Sequence, residues 1–210
     1  MLKAKEKDQN TEQRIKAAAQ RLFQRKGFAA TKTRDIADEA QINLALLNYY
    51  FGSKEKLFKI IMMESIFKFL QGIIFVFNDE QSSLEEKVQQ IANRYIDFLS
   101  KEPEVPLFVL SELRNESSDF IHQLPIDNLF LDSVFAKQYK EKMAETGSNK
   151  SSLMHFLINL LSMLVFPFMS KPIISKIGNL NNKEFDNLME ERKNLVPIWI
   201  ESILKTHDIS

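Results

Sequence analysis

The sequence has no cysteine, and only three histidines and five glycines among 210 residues. The lack of cysteine excludes disulfides, thiolate metal ligands and cysteine nucleophiles. His122, His155 and His207 lie far apart and form none of the short histidine motifs of metalloenzymes. The sequence also has no glycine-rich phosphate loop and no nucleophile elbow. We therefore expect no enzyme: no catalytic residue, no metal site and no cofactor.

Long apolar runs are scarce as well. The first residues have no apolar core of the kind a signal peptide needs. The longest apolar run, Leu153 to Met169, is interrupted by Asn159 and Pro167 and is shorter than the roughly 20 residues that span a bilayer. We interpret this run as a buried helix and expect a cytoplasmic protein without membrane contact.

The formal net charge is zero, but the charges are unevenly distributed. Residues 1–60 contain 13 Lys or Arg and seven Asp or Glu, whereas residues 61–210 contain 15 and 21. A basic lobe joined to an acidic one suggests that only the first meets a polyanion, because an acidic surface repels phosphate. A solvated basic tail would give the same charge balance, so charge alone leaves both interpretations open.

Helical periodicity runs along the chain, and the alternating pattern of strands is absent from the sequence. We predict an all-α protein with three short helices and then a long helix that starts at Lys54. Pro167 and Pro172 are expected to close the penultimate long helix, and Pro197 to kink the last one. The later helices are predicted at about 83–100, 107–115, 128–144, 151–169 and 183–205.

Capping residues and glycines are expected to set the ends of the first three helices. Gly27 is expected to end the first, and Thr31 or Thr33 to cap the second. The third helix is expected to start at the cap Asn43 and to stop at Gly52, after which Ser53 caps the fourth. Two helices joined by a tight turn, the second of them short, make the helix-turn-helix geometry in which the second helix enters the DNA major groove.

The predicted groove-entering helix carries no charge. Ala45 is small enough to approach a thymine methyl, Asn48 can pair bidentately with adenine, and Tyr49 can contact phosphate or sugar. Lys54 offers an ammonium beside free backbone N–H groups at a helix start, which suits phosphate. On the other side, the DNA backbone is expected to meet Thr31, Thr33 and Arg34.

Residues 14–58 resemble a known family. They read RIKAAAQRLFQRKGFAATKTRDIADEAQINLALLNYYFGSKEKLF, which is similar to the N-terminal DNA-binding head of the TetR family of bacterial transcriptional regulators (TetR/AcrR type). The matching pieces are Ala18, Leu22-Phe23, Gly27-Phe28, the threonines before Ile36-Ala37, Leu47, Phe51, Ser53-Lys54-Glu55 and Leu57-Phe58.

The resemblance implies a DNA-binding head at residues 1–53 and a helical ligand-binding and dimerisation domain at residues 54–210. It also implies a homodimer that binds double-stranded DNA at a palindromic operator, most often as a repressor, and is released by a small, mostly apolar effector. The family's DNA contacts fall on Thr33, Leu44, Ala45, Asn48, Tyr49 and Lys54.

Three positions depart from the family's usual pattern. Position 41 is commonly Gly, so Gln41 must tolerate a left-handed backbone, at a cost of roughly 1–2 kcal/mol, or adopt a different one. Leu44 stands where a basic residue is common, and Asn48 where Tyr is common. We therefore expect DNA binding with an operator of its own.

The second domain shows no comparable motif. Its polar-tipped candidates for orienting an effector are Tyr95, His122, His155, Asn159 and Trp199. Apolar stripes on the last two long helices predict a four-helix dimer interface, although a monomer core would produce the same stripes. The stripes comprise Leu153, Phe156, Leu157, Leu160, Leu161 and Leu164, and Phe185, Leu188, Met189, Leu195, Trp199 and Ile203. The alternative function is a helical dimer that acts through protein partners without specific DNA binding.

Overall fold

The computed structural model describes residues 2–114, 120–124, 130–145 and 153–205. In those ranges the chain forms eleven helices and no strand, which confirms the all-α prediction. The helices are α1 (Leu2–Ala30), α2 (Thr33–Glu39), α3 (Leu44–Phe51), α4 (Lys54–Asn78), α5 (Leu84–Lys101), α6 (Val105–Arg114), α7 (Phe120–Gln123), α8 (Val134–Glu145), α9 (Leu153–Met169), α10 (Lys171–Gly178) and α11 (Asn182–Lys205).

The chain divides into two compact units, Met1–Phe67 and Lys68–Ser210, and the boundary falls within α4. The first unit thus contains all of the predicted DNA-binding segment, residues 1–53, together with the first half of α4. The assignment of residues 54–210 to ligand binding and dimerisation concerns function and stays a prediction.

The first unit packs α1, α2, α3 and the start of α4 around one apolar core. Two glycines mark breaks that the sequence indicates, although α1 continues to Ala30 and the cap of α2 is Lys32 instead of Thr31 or Thr33. Gly27 has φ 77° and interrupts α1, and Gly52 has φ 73° and follows α3. Both values lie in the left-handed region, which glycine enters without a Cβ clash. The core comprises Ile15, Ala18, Ala19, Leu22, Phe23, Ile36, Ala37, Ala40, Leu47, Phe51, Leu57 and Ile61.

In the second unit α5 packs against α8, α9 and α11. Ser83 and Glu86 form a capping box that fixes the start of α5. Lys87, one turn into α5, is fully buried, and its ammonium donates to the carbonyl of Ser82 at 2.6 Å. Burial lowers the pKa of Lys87, and nearby Asp79 and Glu86 partly oppose that shift.

Two prolines lie inside the long helices of this unit, Pro167 in α9 and Pro197 in α11. A proline in a helix has no N–H for the carbonyl four residues earlier, so the carbonyls of Met163 and Lys193 lose their helical donors. Each carbonyl accepts from another helix instead. Arg192 of α11 donates to the Met163 carbonyl at 2.7 Å, and the Gln89 amide of α5 donates to the Lys193 carbonyl at 2.8 Å. The two prolines thereby create polar links among α5, α9 and α11.

The penultimate long helix ends at Met169 as predicted, but Pro167 lies inside it and does not close it. Pro172 lies in the first turn of α10, a helix that the sequence patterns did not indicate. Much of the two predicted interface stripes forms the core of the second unit instead. The stripe residues that are buried there are Phe156, Leu160, Leu164, Phe185 and Met189.

One helix, α4, is long and apolar enough to cross a membrane, and the bent pair α9–α10 passes the same test together. This test uses length and composition only, and core helices of globular proteins also satisfy it. The first half of α4 has that core role, since Leu57 and Ile61 are buried within the first unit.

The link between Gln89 and Pro197 can be tested by a double-mutant cycle. Gln89→Leu should lower the free energy of unfolding by about 1 kcal/mol, because it leaves a half-buried carbonyl without its donor. In a Pro197→Ala background the same change should cost much less, since the N–H of the new alanine can reach the Lys193 carbonyl. Urea denaturation measures both, with Gln90→Leu as the control for losing an amide on α5. Equal losses in the two backgrounds would refute the link.

Candidate nucleic-acid interface

The start of α3 is fixed by its cap, as the sequence predicts. The Asn43 side-chain oxygen accepts from the backbone N–H of Leu46 at 2.8 Å. The inward side of the helix, Leu47 and Phe51, is buried in the first unit. The opposite side is therefore presented outward in a defined orientation.

The outward face of α3 consists of Ala45, Asn48 and Tyr49, all exposed. Positions i, i+3 and i+4 lie side by side on a helix, so these three side chains form one surface. Tyr49 is 80% exposed, and its ring meets that of Tyr50 edge-on with centroids 5.4 Å apart. Leu44 is half-buried at the start of the helix. The face is uncharged and offers an amide, a phenol and a methyl group.

Basic side chains accompany the start of α2. Arg34 and Lys32 are exposed, and Thr33 is half-buried. Lys26 pairs with Asp35 at 3.3 Å. This hydrogen bond from Lys26, together with the backbone N–H of Lys32, lowers the pKa of the Asp35 carboxyl. Thr33 and Arg34 of this helix were both predicted to contact the DNA backbone. Of the two, Arg34 is the exposed one.

Two other predicted DNA contacts, Thr31 and Lys54, make bonds inside the first unit. Thr31 is 1% exposed, and its hydroxyl donates to the Gly27 carbonyl at 2.8 Å. The Lys54 ammonium donates to the carbonyls of Phe28 and Thr31, both at 3.0 Å, and lies 4.1 Å from the centroid of the Phe28 ring. Both residues therefore stabilise the end of α1, and any contact that they make with DNA stays a prediction.

The residues predicted to orient an effector do not converge on one site. Tyr95 is half-buried, its ring meets Phe69 edge-on at 4.6 Å, and burial raises its pKa to about 12. His122, His155, Asn159 and Trp199 are exposed. The Trp199 ring has the Arg192 guanidinium 5.1 Å from its centroid.

A groove of about 460 Å³ lies between α5 and α11, and the sequence patterns did not indicate it. Pro197, which lines the groove, is visible in the sequence. Its effect on the groove, however, depends on how α5 packs against α11. None of the five predicted effector residues lines this groove. Its lining includes Val88, Ile200 and Leu204 and the carboxylates of Glu85, Glu86 and Glu201. In the described parts of the chain, no group of His, Asp and Glu side chains is placed to hold a metal ion.

Comparison with known proteins finds a family model that matches the first unit. Residues 15–61 match the model of the family described as bacterial regulatory proteins, tetR family. The helix-turn-helix segment of the chain is therefore similar to that of the tetR family. The match spans α2, α3 and the start of α4, and thus the whole outward face of α3.

Two relatives are described as HTH-type transcriptional proteins, and one of them matches nearly the whole chain. YttP of Bacillus subtilis (strain 168), described as a probable HTH-type transcriptional regulator, is 26% identical over 210 residues, covering 96% of this chain and 97% of YttP. The HTH-type transcriptional repressor NicS of Pseudomonas putida (KT2440) is 26% identical over 111 residues, covering 53% of this chain and 51% of NicS.

A solved structure shares the fold. It is a TetR-family transcriptional regulator from Mesorhizobium loti MAFF303099, with a TM-score of 0.55 and 20% identity, covering 93% of this chain and 97% of that one. The chain thus shares the fold of that regulator, and α2 and α3 lie within the segment that matches the tetR-family model.

The internal role of Lys54 predicts a loss of stability. Lys54→Met should lower the free energy of unfolding by about 1–3 kcal/mol, because two backbone carbonyls lose a charged donor and the Phe28 ring loses a cation. Lys56→Met removes the same charge from an exposed position of the same helix and should change stability by no more than about 0.5 kcal/mol. Equal effects in urea denaturation would show that the Lys54 bonds contribute nothing.

Proposed function

We propose that this protein is a repressor that binds a palindromic operator as a homodimer in the cytoplasm and is released by a small-molecule effector. The observation that carries the proposal is the uncharged, exposed face of Ala45, Asn48 and Tyr49, which a capped α3 holds outward within the segment that matches the tetR-family model. The same match favours DNA binding over a dimer that acts through protein partners alone.

Each side chain of this face has a chemistry suited to the major groove. The Asn48 amide can donate to and accept from the edge of adenine, and the Ala45 methyl can contact a thymine methyl. The Tyr49 phenol reaches furthest and suits a phosphate oxygen or a sugar. Arg34 adds a cation beside the face, so base contacts and phosphate contacts come from different helices.

Dimerisation is supported by apolar side chains that the second unit leaves exposed. They occupy α9 and α11, the helices on which the sequence predicted an interface, but they differ in part from the predicted stripes because the structure uses several stripe residues as core. These exposed side chains are Met154, Ile158, Leu161, Leu195, Ile198 and Trp199. A two-fold dimer of this kind binds DNA by presenting its two recognition helices to successive major grooves about 34–36 Å apart.

The proposed release by an effector is based on the composition of the second unit. The second unit is rich in phenylalanine and methionine, which favours a mostly apolar molecule. An effector acts by binding one arrangement of the dimer more tightly than another, and operator affinity falls by the same coupling. Repression is supported by the relative NicS, which is described as a transcriptional repressor.

Selection of duplexes from a random library by the purified protein tests the proposal. An enriched palindrome with half-sites about 10 base pairs apart is the expected result. Binding that disappears at moderate salt and enriches no sequence would contradict it, because contacts with phosphate alone are non-specific.

The division between base and phosphate contacts predicts different effects for two variants. Asn48→Ala should weaken binding to the enriched duplex by about 1–3 kcal/mol and relax the preference at one base pair of each half-site. Arg34→Ala should weaken all duplexes about equally and reduce the slope of log affinity against log salt by about one. Fluorescence anisotropy on the enriched duplex and on a scrambled one measures both. Equal losses on both duplexes for Asn48→Ala would remove its role in reading bases.

The proposed interface predicts that Ile198→Asp gives a monomer. Ile198 is 55% exposed on α11, and an interface would have to bury the new carboxylate without a partner. Leu107→Asp is the control, since Leu107 is 56% exposed on α6, outside the proposed interface. Sedimentation velocity should show a dimer for the original protein and the control but a monomer for Ile198→Asp. An unchanged dimer for Ile198→Asp would place the interface elsewhere.

A further inference from the structure

The turn between α2 and α3 contains a strained residue. The N–H of Gln41 donates to the Asp38 carbonyl at 3.1 Å, and the N–H of Ile42 donates to the Ala37 carbonyl at 3.0 Å. This pair of bonds is the Schellman pattern, which places the residue after the helix cap in the left-handed region and prefers glycine there. Gln41 occupies that position with φ 53°. A glutamine has a Cβ and is therefore biased toward leaving this conformation.

Arg14 of α1 holds this turn from the side. Its Nη2 atom donates to the carbonyl of Ala40 at 2.6 Å, and the carbonyl of Gln41 lies 3.5 Å from the same atom. Both carbonyls lie beyond the end of α2, where no further turn of helix supplies N–H donors. We call these two contacts the Arg14 clamp. They join α1 to the residues that set the direction in which the chain enters α3.

The space between α1 and the turn is not filled by packed side chains. A cleft of about 160 Å³ lies between α1 and the turn, lined by Arg14, Ala17 and Arg21 on one side and by Glu39, Ala40 and Gln41 on the other. Apolar side chains do not fill the cleft, and the guanidinium bridges it. If Arg14 is shortened or loses its donors, the turn has room to move.

A second arginine on the same helix makes a different kind of contact. Arg21 also reaches from α1 to α2, but it pairs with the exposed carboxylate of Glu39 at 3.2 Å. That contact joins two flexible side chains, whereas Arg14 binds main-chain carbonyls and thereby constrains the backbone. Arg21 is therefore a matched control of equal charge.

We propose that Arg14 is a positioning residue for DNA recognition. It keeps Gln41 in its left-handed conformation and so sets the orientation of the Ala45, Asn48 and Tyr49 face, without contacting a base itself. This inference rests on the proposed function for its consequence in DNA binding, but the clamp itself can be tested without DNA.

Thermal unfolding without DNA tests the clamp. Arg14→Met keeps the side-chain length and removes the donors, and it should lower the unfolding midpoint. In a Gln41→Gly background the loss should be clearly smaller, because glycine keeps the positive φ without being held. Equal losses in both backgrounds would overturn the clamp, whether or not the protein binds DNA.

Binding to two duplexes then tests positioning. The probes are the duplex enriched from a random library and a scrambled duplex of equal length. Arg14→Met should weaken binding to the enriched duplex at least about fivefold and to the scrambled duplex much less, because it disturbs base contacts. The double variant with Gln41→Gly should recover most of that loss. Arg21→Met should change both duplexes alike.

Three results would overturn the positioning role. Equal losses of Arg14→Met on both duplexes, with the salt slope reduced by about one, would make Arg14 a phosphate contact. Undiminished discrimination between the duplexes would make the clamp irrelevant to recognition. If Arg14→Met does not fold, the double variant is decisive, and its failure to discriminate would also contradict positioning. If the original protein binds all duplexes equally well, the proposed function is wrong. The unfolding cycle still tests the Arg14 clamp in that case.

Discussion

Backbone carbonyls that have no donor within their own helix determine how this protein is held together. A buried carbonyl without a hydrogen bond is costly, so each one requires a donor from elsewhere in the fold. In the second unit Pro167 and Pro197 each remove one helical N–H, and Arg192 and Gln89 supply the replacement donors from neighbouring helices. Apolar contacts tolerate small shifts along a helix axis, whereas these directional bonds fix the register of α5, α9 and α11.

The first unit follows the same rule at its helix ends. The last carbonyls of a helix have no intrahelical donor. Lys54 donates to two carbonyls at the end of α1, and Arg14 donates to two beyond the end of α2. Lys54, Arg14 and Arg192 thus act as internal donors, as does Lys87 in the second unit. A basic sequence around a helix-turn-helix therefore overstates the number of cations available to DNA, since some of that charge is used to orient the helices.

Local signals in the sequence predicted part of the local structure. Asn43, Gly52 and Ser53 are caps and stops whose effect depends on a few neighbouring residues. Of the two alternatives for Gln41 the structure shows the left-handed backbone, whereas the cap of α2 is Lys32 and not Thr31 or Thr33. The other predictions that failed depend on contacts distant in sequence. Periodicity cannot tell whether Phe156 faces its own core or a partner, and Pro167 ends no helix because Arg192 bonds to the carbonyl that it frees. The polar-tipped residues chosen for an effector do not converge, because residue type alone carries no information about which helix faces meet.

In the proposed function, the outward face of α3 lies against the bases of an operator. Photocrosslinking tests it most directly, with a benzoylphenylalanine in place of Tyr49, which is 80% exposed and extends furthest from the face. On the enriched duplex the account predicts crosslinks at two positions, one in each half-site and about 10 base pairs apart. Crosslinks scattered along the duplex, or none at a concentration at which the duplex is bound, would contradict it.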